Sequence, residues 1–179
     1  MSIQFVSLIS RQDKPLYIQS FVENAAGDLE LAKEAQTNTL LKFNFLSHMG
    51  LDILTSPTSL NLREQQQQYH ETQGSKPLDP PVYLLLFIQD NISVFGYETS
   101  NGVKIIVGLA NTNELEGLNS LFRSIHKSYV RCVCNPFNNM KFNHLDDAGV
   151  QDNVLQSATF DHNISSIVAK WNGTSIRST

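Results

Sequence analysis

Three apolar runs constrain this chain most: VYLLLFI at 82–88, ISVFGY at 92–97 and VKIIVGL at 103–109. Their connections, QDN and ETSNG, are short and turn-like, so the three runs read as strands of an antiparallel meander. A hairpin is expected upstream, with strands at 3–10 and 16–21 joined across RQDKP, a turn signal closed by Pro15.

Helical periodicity fills the rest. Residues 37–55 carry Leu40, Leu41, Phe43, Phe45, Leu46, Met49, Leu51, Ile53 and Leu54. At about 100° per residue these positions surround the axis, where a surface helix shows one stripe. Such a helix is covered on more than one side, either by a partner protein or as a central core helix. Before it, NAAGD breaks the pattern, and Asp28 either caps a short helix through LELAKEAQ or belongs to a loop. Pro57 ends the helix. LNLREQQQQYHETQGSKPLDPP at 60–81, with its glutamine run and three prolines, has no periodicity and is expected to be a mobile insertion. A further helix is expected from a cap at Thr112 or Asn113 to the stop at Pro136. A last one is expected from about 152 to 171. The order is ββ, helix, βββ, helix, helix, which an α+β fold accommodates as a five-stranded antiparallel sheet with helices on its faces.

A chain of 179 residues is long enough to bury a core without disulfides or metal. The expected organisation is a single domain over 1–171, an insertion at about 57–81 and a tail at 172–179. Net charge is −4 and the pI near 5.7, so the totals carry no basic footprint for nucleic acid or an anionic membrane. The amino-terminal MSIQFVSLISRQDKPLY lacks the basic start and unbroken apolar run of a signal peptide, and no run approaches a membrane span. Two cysteines in such a chain fit reduced thiols in the cytosol. The sequons at Asn91, Asn163 and Asn172 are then chance matches.

LNSLFRSIHKSYVRCVCNPFNN, at 118–139, looks most reactive, with a His and a C-x-C spacing. On a helix, Cys132 and Cys134 point about 200° apart, a poor geometry for sharing one metal. Cys134 is expected to be a buried structural thiol, and His126, beside Lys127 and near Arg123, to lie on a solvated face. The chain contains no H-E-x-x-H pattern, G-x-S-x-G elbow or phosphate-binding glycine loop. Asp52 stands out instead, because it sits among apolar neighbours in HMGLDIL. A carboxylate there needs a donor, a cation or a water-exposed edge.

Several stretches together resemble the sedlin family of TRAPP subunits. RQDKPLY is similar to the family's first turn, HMGLDIL to its first-helix signature, CNPFNN to its N-P-F-Y motif and SATFDHNI to the S-x-A-F-D segment opening its last helix. The resemblance covers about 1–56 and 82–171. Asn138 stands where the motif has Tyr, and Thr159 where it has Ala. The resemblance implies a longin fold: a five-stranded antiparallel sheet with one helix on one face and two on the other. It also implies a non-enzymatic subunit or assembly factor, without cofactor or metal, of a complex that tethers vesicles and activates Rab-family GTPases at Golgi and endosomal membranes. Partners would be other TRAPP subunits and, indirectly, a Rab GTPase, and the chain would be cytoplasmic and peripheral to those membranes. An aspartate of the family's first helix is implicated in partner contacts and falls on Asp52. The expected partner interface is Asp52 with Phe45, Met49 and Leu46. The alternative is a longin-type regulatory domain binding a GTPase or SNARE directly. A longin SNARE itself would need a heptad stretch and an anchor that the few residues after Trp171 do not supply.

Overall fold

The β3–β4 turn shows how local chemistry builds the sheet. Strands β3 (Leu84–Gln89) and β4 (Ile92–Glu98) meet across Asp90 and Asn91, both left-handed at φ 51° and 60°. Asp and Asn tolerate that region, and two left-handed residues give the turn whose twist matches paired strands. At the next corner Thr99 closes the turn on Val103. Its N–H donates to the Val103 carbonyl at 2.9 Å, and its hydroxyl accepts from the Val103 N–H at 3.0 Å. Strand β5 (Lys104–Ala110) follows.

This is a computed structural model. It describes residues 2–22, 29–57, 59, 61, 62, 64, 65, 82–110, 117–139 and 155–175. The chain forms two compact units, Met1–Glu114 and Leu115–Thr179.

In the first unit, β1 (Ser2–Ile9) pairs antiparallel with both β2 (Pro15–Ser20) and β5. The sheet order is β2-β1-β5-β4-β3, so the hairpin and the meander join along β1 and β5. Strand β5 is central, with β1 and β4 on either side of it, and on β1 and β5 Phe5, Val6, Leu8, Ile9, Ile105, Ile106 and Val107 are all fully buried.

Helix α1 runs unbroken from Leu29 to Thr55, about 40 Å at 1.5 Å per residue. The helix expected over 37–55 is continuous with LELAKEAQ, the stretch left open as a short helix or a loop. The hydroxyls of Thr37 and Thr39 donate to the carbonyls of Lys33 and Ala35, one turn back, so these residues do not terminate the helix. Asp28 lies outside the described residues. The inner stripe of α1 joins Phe43, Leu46, Leu51 and Leu54 to Phe5, Leu84, Leu86, Val94 and Ile106 of the sheet.

Two glycines set that contact. A Cβ on Gly50 would meet Leu86 at 3.0 Å and Ile106 at 3.1 Å, so helix and sheet approach closely there. A helical glycine costs about 1 kcal/mol relative to alanine, which closer packing of these large side chains offsets. A Cβ on Gly108 would run into the Phe5 ring, which instead stacks on Phe43 at 4.8 Å between centroids.

The insertion expected at about 57–81 lies partly within the described residues. Residues 59, 61, 62, 64 and 65 are helical, Ser59 is buried, and Leu62 packs against the core of the first unit. Residues 66–81 lie outside the described residues.

In the second unit, α2 (Leu118–Val133) follows Gly117, left-handed at φ 80°; the caps expected at Thr112 or Asn113 lie outside the described residues. It buries Leu118, Leu121, Phe122 and Ile125. Pro136 does not simply stop the chain: α2 ends at Val133, and Pro136 opens a short turn, α3 (Pro136–Asn139), as a first helical residue without need of its N–H. The last helix, α4 (Ala158–Ser175), begins after Ser157, whose hydroxyl accepts from the Phe160 N–H at 3.3 Å. Position 152 lies outside the described residues, and the helix runs past Trp171 into the expected tail. Its buried face, Phe160, Ile164, Val168 and Trp171, steps by three and four, and α4 packs on α2.

Candidate functional site

The all-round apolarity of α1 resolves into an inner stripe on the sheet and an outer one in water. Counting about 100° per residue, Leu41, Phe45, His48 and Asp52 fall within about 60° of one another, opposite Phe43 and Gly50. Leu41 is 61% exposed and Phe45 60%. Exposure of two large apolar side chains on one stripe, with Leu40 beside them, is not what a central core helix gives.

Of the four residues expected at an interface, three share this side. Phe45 and Asp52 are exposed, and Met49 is half-buried beside them. Leu46 is a correction. It is 1% exposed and belongs to the core, because it lies about 120° from Asp52 around the helix, toward the sheet. Asp52 itself reaches water, so it is not a buried acid among apolar neighbours.

Beside the carboxyl-terminal half of α1 lies a groove of about 300 Å³, lined by Asp13, Phe45, His48, Met49, Leu51, Asp52 and Thr55. Asp13 comes from the β1–β2 turn, where its backbone is left-handed at φ 62° and its N–H donates to the Ser10 carbonyl at 3.1 Å. The Lys104 ammonium group donates to Asp13 Oδ1. The lysine side chain is 5% exposed and the aspartate side chain 52%, so a buried cation pins a carboxylate that still faces water. Higher on α1, Lys42 pairs with Asp90 of the β3–β4 turn at 2.9 Å, both largely exposed.

Asp13 and Lys104 were legible as residues but not as parts of this site. The available signal was Lys104 within VKIIVGL: a lysine opening a buried strand demands a carboxylate, and the first turn supplies one.

The reactive-looking stretch corrects two expectations. Cys134 is exposed, because the buried stripe of α2 ends at Ile125 and the cysteine lies beyond the helix end. His126 is half-buried rather than solvated. Burial raises the Cys132 thiol above its ordinary value. The Tyr129 phenol is also raised, chiefly by burial and then by Cys134 and Cys132. Among the described residues no group of three or more His, Cys, Asp or Glu side chains is placed to hold a metal ion, and no helix is long and apolar enough to cross a membrane.

The Sedlin family's sequence model matches residues 8–170. The chain is 32% identical over 139 residues to the TRAPP-associated protein TCA17 of Saccharomyces cerevisiae, covering 74% of this chain and 77% of that protein. It is 27% identical over 168 residues to the trafficking protein particle complex subunit 2-like protein of Xenopus tropicalis, covering 91% and 94%. Against the protein of that name from Bos taurus, identity is 28% over 139 residues, covering 75% and 81%. With the five-stranded antiparallel sheet and its three long helices, these matches show that the chain belongs to the sedlin family.

Proposed function

We propose that this chain is a non-enzymatic component of the TRAPP vesicle-tethering complex, supporting assembly of a larger Rab-activating form in Golgi and endosomal traffic. It binds other TRAPP subunits through the outer stripe of α1, with Phe45, Met49 and Asp52 at its centre, and acts from the cytoplasm, peripheral to those membranes. The names of its relatives support the complex, and one observation supports the surface: Leu41 and Phe45 stand in water beside Asp52 on a helix whose other side is well packed. Burying each of these two side chains against a partner is worth about 1.5–3 kcal/mol, while an adjacent carboxylate penalises partners that cannot satisfy it.

The test is size-exclusion chromatography of the purified chain with the TRAPP core, alongside Asp52→Tyr and Phe45→Ala. Co-migration of the wild type, lost in both variants while their melting temperatures hold, supports the reading. Failure of the wild type to co-migrate overturns it and favours direct GTPase binding.

A further inference from the structure

Resting on the reading of α1 as the partner face, we propose that the groove beside Asp52 receives a single cationic side chain, an arginine or lysine, from a partner segment whose apolar anchor packs on Leu41 and Phe45.

The groove has the two surfaces such a side chain needs. Phe45, Met49 and Leu51 offer apolar wall for a methylene stem, and Asp13 and Asp52, from two different elements, offer carboxylates for its head. Their positions differ in a useful way. Asp13 is fixed by the turn and by buried Lys104, which occupies Oδ1, so its other oxygen remains available on a half-exposed side chain. The Asp52 carboxylate has no ion-pair or hydrogen-bond partner among the described residues.

The charge count selects the ligand. Two carboxylates face the groove and Lys104 compensates one of them, leaving the Asp52 carboxylate uncompensated. One cation balances it, whereas an anionic group would meet Asp52 unscreened. Spacing then restricts the partner. Phe45 and Asp52 are seven residues apart on one stripe, roughly 10 Å along the axis. A partner must therefore present its basic group about 10 Å from its apolar anchor, as residues i and i+7 of a helix laid along α1 do.

The experiment titrates the full-length chain against a purified TRAPP core lacking this subunit, at low and high salt. Asp52→Asn keeps the shape and removes the charge. It is expected to weaken binding roughly 10- to 100-fold at low salt and to flatten the salt dependence. Asp52→Glu is expected to retain most of the affinity. Phe45→Ala is expected to weaken binding with the salt dependence intact. A charge swap provides the positive control: Asp52→Arg should lose binding, and one Arg or Lys of the partner changed to Glu should restore it. If Phe45→Ala weakens binding and Asp52→Asn does not, the cation is wrong and the interface stands. If neither variant weakens binding, or the wild type does not bind, the reading of α1 falls and this proposal with it.

Discussion

Lys104, the first residue of β5, reaches across β1 to the Asp13 carboxylate in the β1–β2 turn, so a buried ammonium group ties the first hairpin to the end of the meander. The pair does two things at once. It neutralises a charge that the sheet has buried, and it holds Asp13 at the lip of the groove beside Asp52.

Removing one partner and removing the whole need are different perturbations. Asp13→Ala leaves the Lys104 ammonium group without its carboxylate and is expected to cost about 1–3 kcal/mol, less than a fully buried pair because water reaches Asp13. Lys104→Met fills the same space without a charge and is expected to change stability by less than about 1 kcal/mol. Urea unfolding of both variants checks the order. Equal losses would show that the ammonium group is not the costly element.

Adjacent residues on α1 should behave in opposite ways. Leu46→Ala opens a cavity against Phe5 and the sheet core and is expected to cost about 2–5 kcal/mol. Phe45→Ala removes an exposed ring and is expected to change stability by less than about 0.5 kcal/mol, its effect appearing in partner binding. Thermal melting of the isolated chain separates the two, and a large loss for Phe45→Ala would mean that its ring packs within the chain.

How much of this was legible follows from how local each determinant is. The meander was, because QDN and ETSNG carry their own turn chemistry and the runs they separate are apolar enough to be buried strands. The all-round apolarity of α1 was visible too, and the structure divides it into a stripe packed on the sheet and a stripe in water. Which residues face the sheet and which face water depends on the helix phase, set by Gly50 against Leu86 and Ile106, contacts about 35 and 55 residues away in sequence. Leu46 was therefore assigned to the wrong side, although its angular distance from Asp52 could have warned of it. Cys134 was misplaced for a similar reason: hydrophobic character says that a thiol tolerates burial, not that anything arrives to bury it. Lys104 is the opposite case, since its charge within an apolar strand implied a partner that only the fold identifies as Asp13.

Gly108 tests the packing that positions α1. A methyl group there points into the Phe5 ring, and Phe5 stacks on Phe43 of α1. Gly108→Ala is expected to cost about 1–3 kcal/mol, because Phe5 must leave its rotamer or β5 must shift. The double variant Gly108→Ala with Phe5→Leu should recover part of that loss by giving the methyl group room. Chemical denaturation of Gly108→Ala, Phe5→Leu and the double variant reads the coupling directly, and strictly additive losses would sink this account of the contact.

The two cysteines should separate by reactivity. Only the thiolate is nucleophilic, and burial raises the Cys132 thiol, which lowers its thiolate fraction at a given pH and shields it from reagent. Cys134 is exposed at the end of α2. With iodoacetamide at pH 8 the first alkylation is expected on Cys134, several-fold faster than on Cys132. The sign with pH follows: alkylation of Cys132 continues to accelerate above the range in which an ordinary thiol has already ionised. Peptide mass spectrometry over a time course at pH 8, 9 and 10 reads both rates. Equal rates at all three values would mean that the last turn of α2 opens readily, and that the burial raising the Cys132 thiol is not maintained in solution.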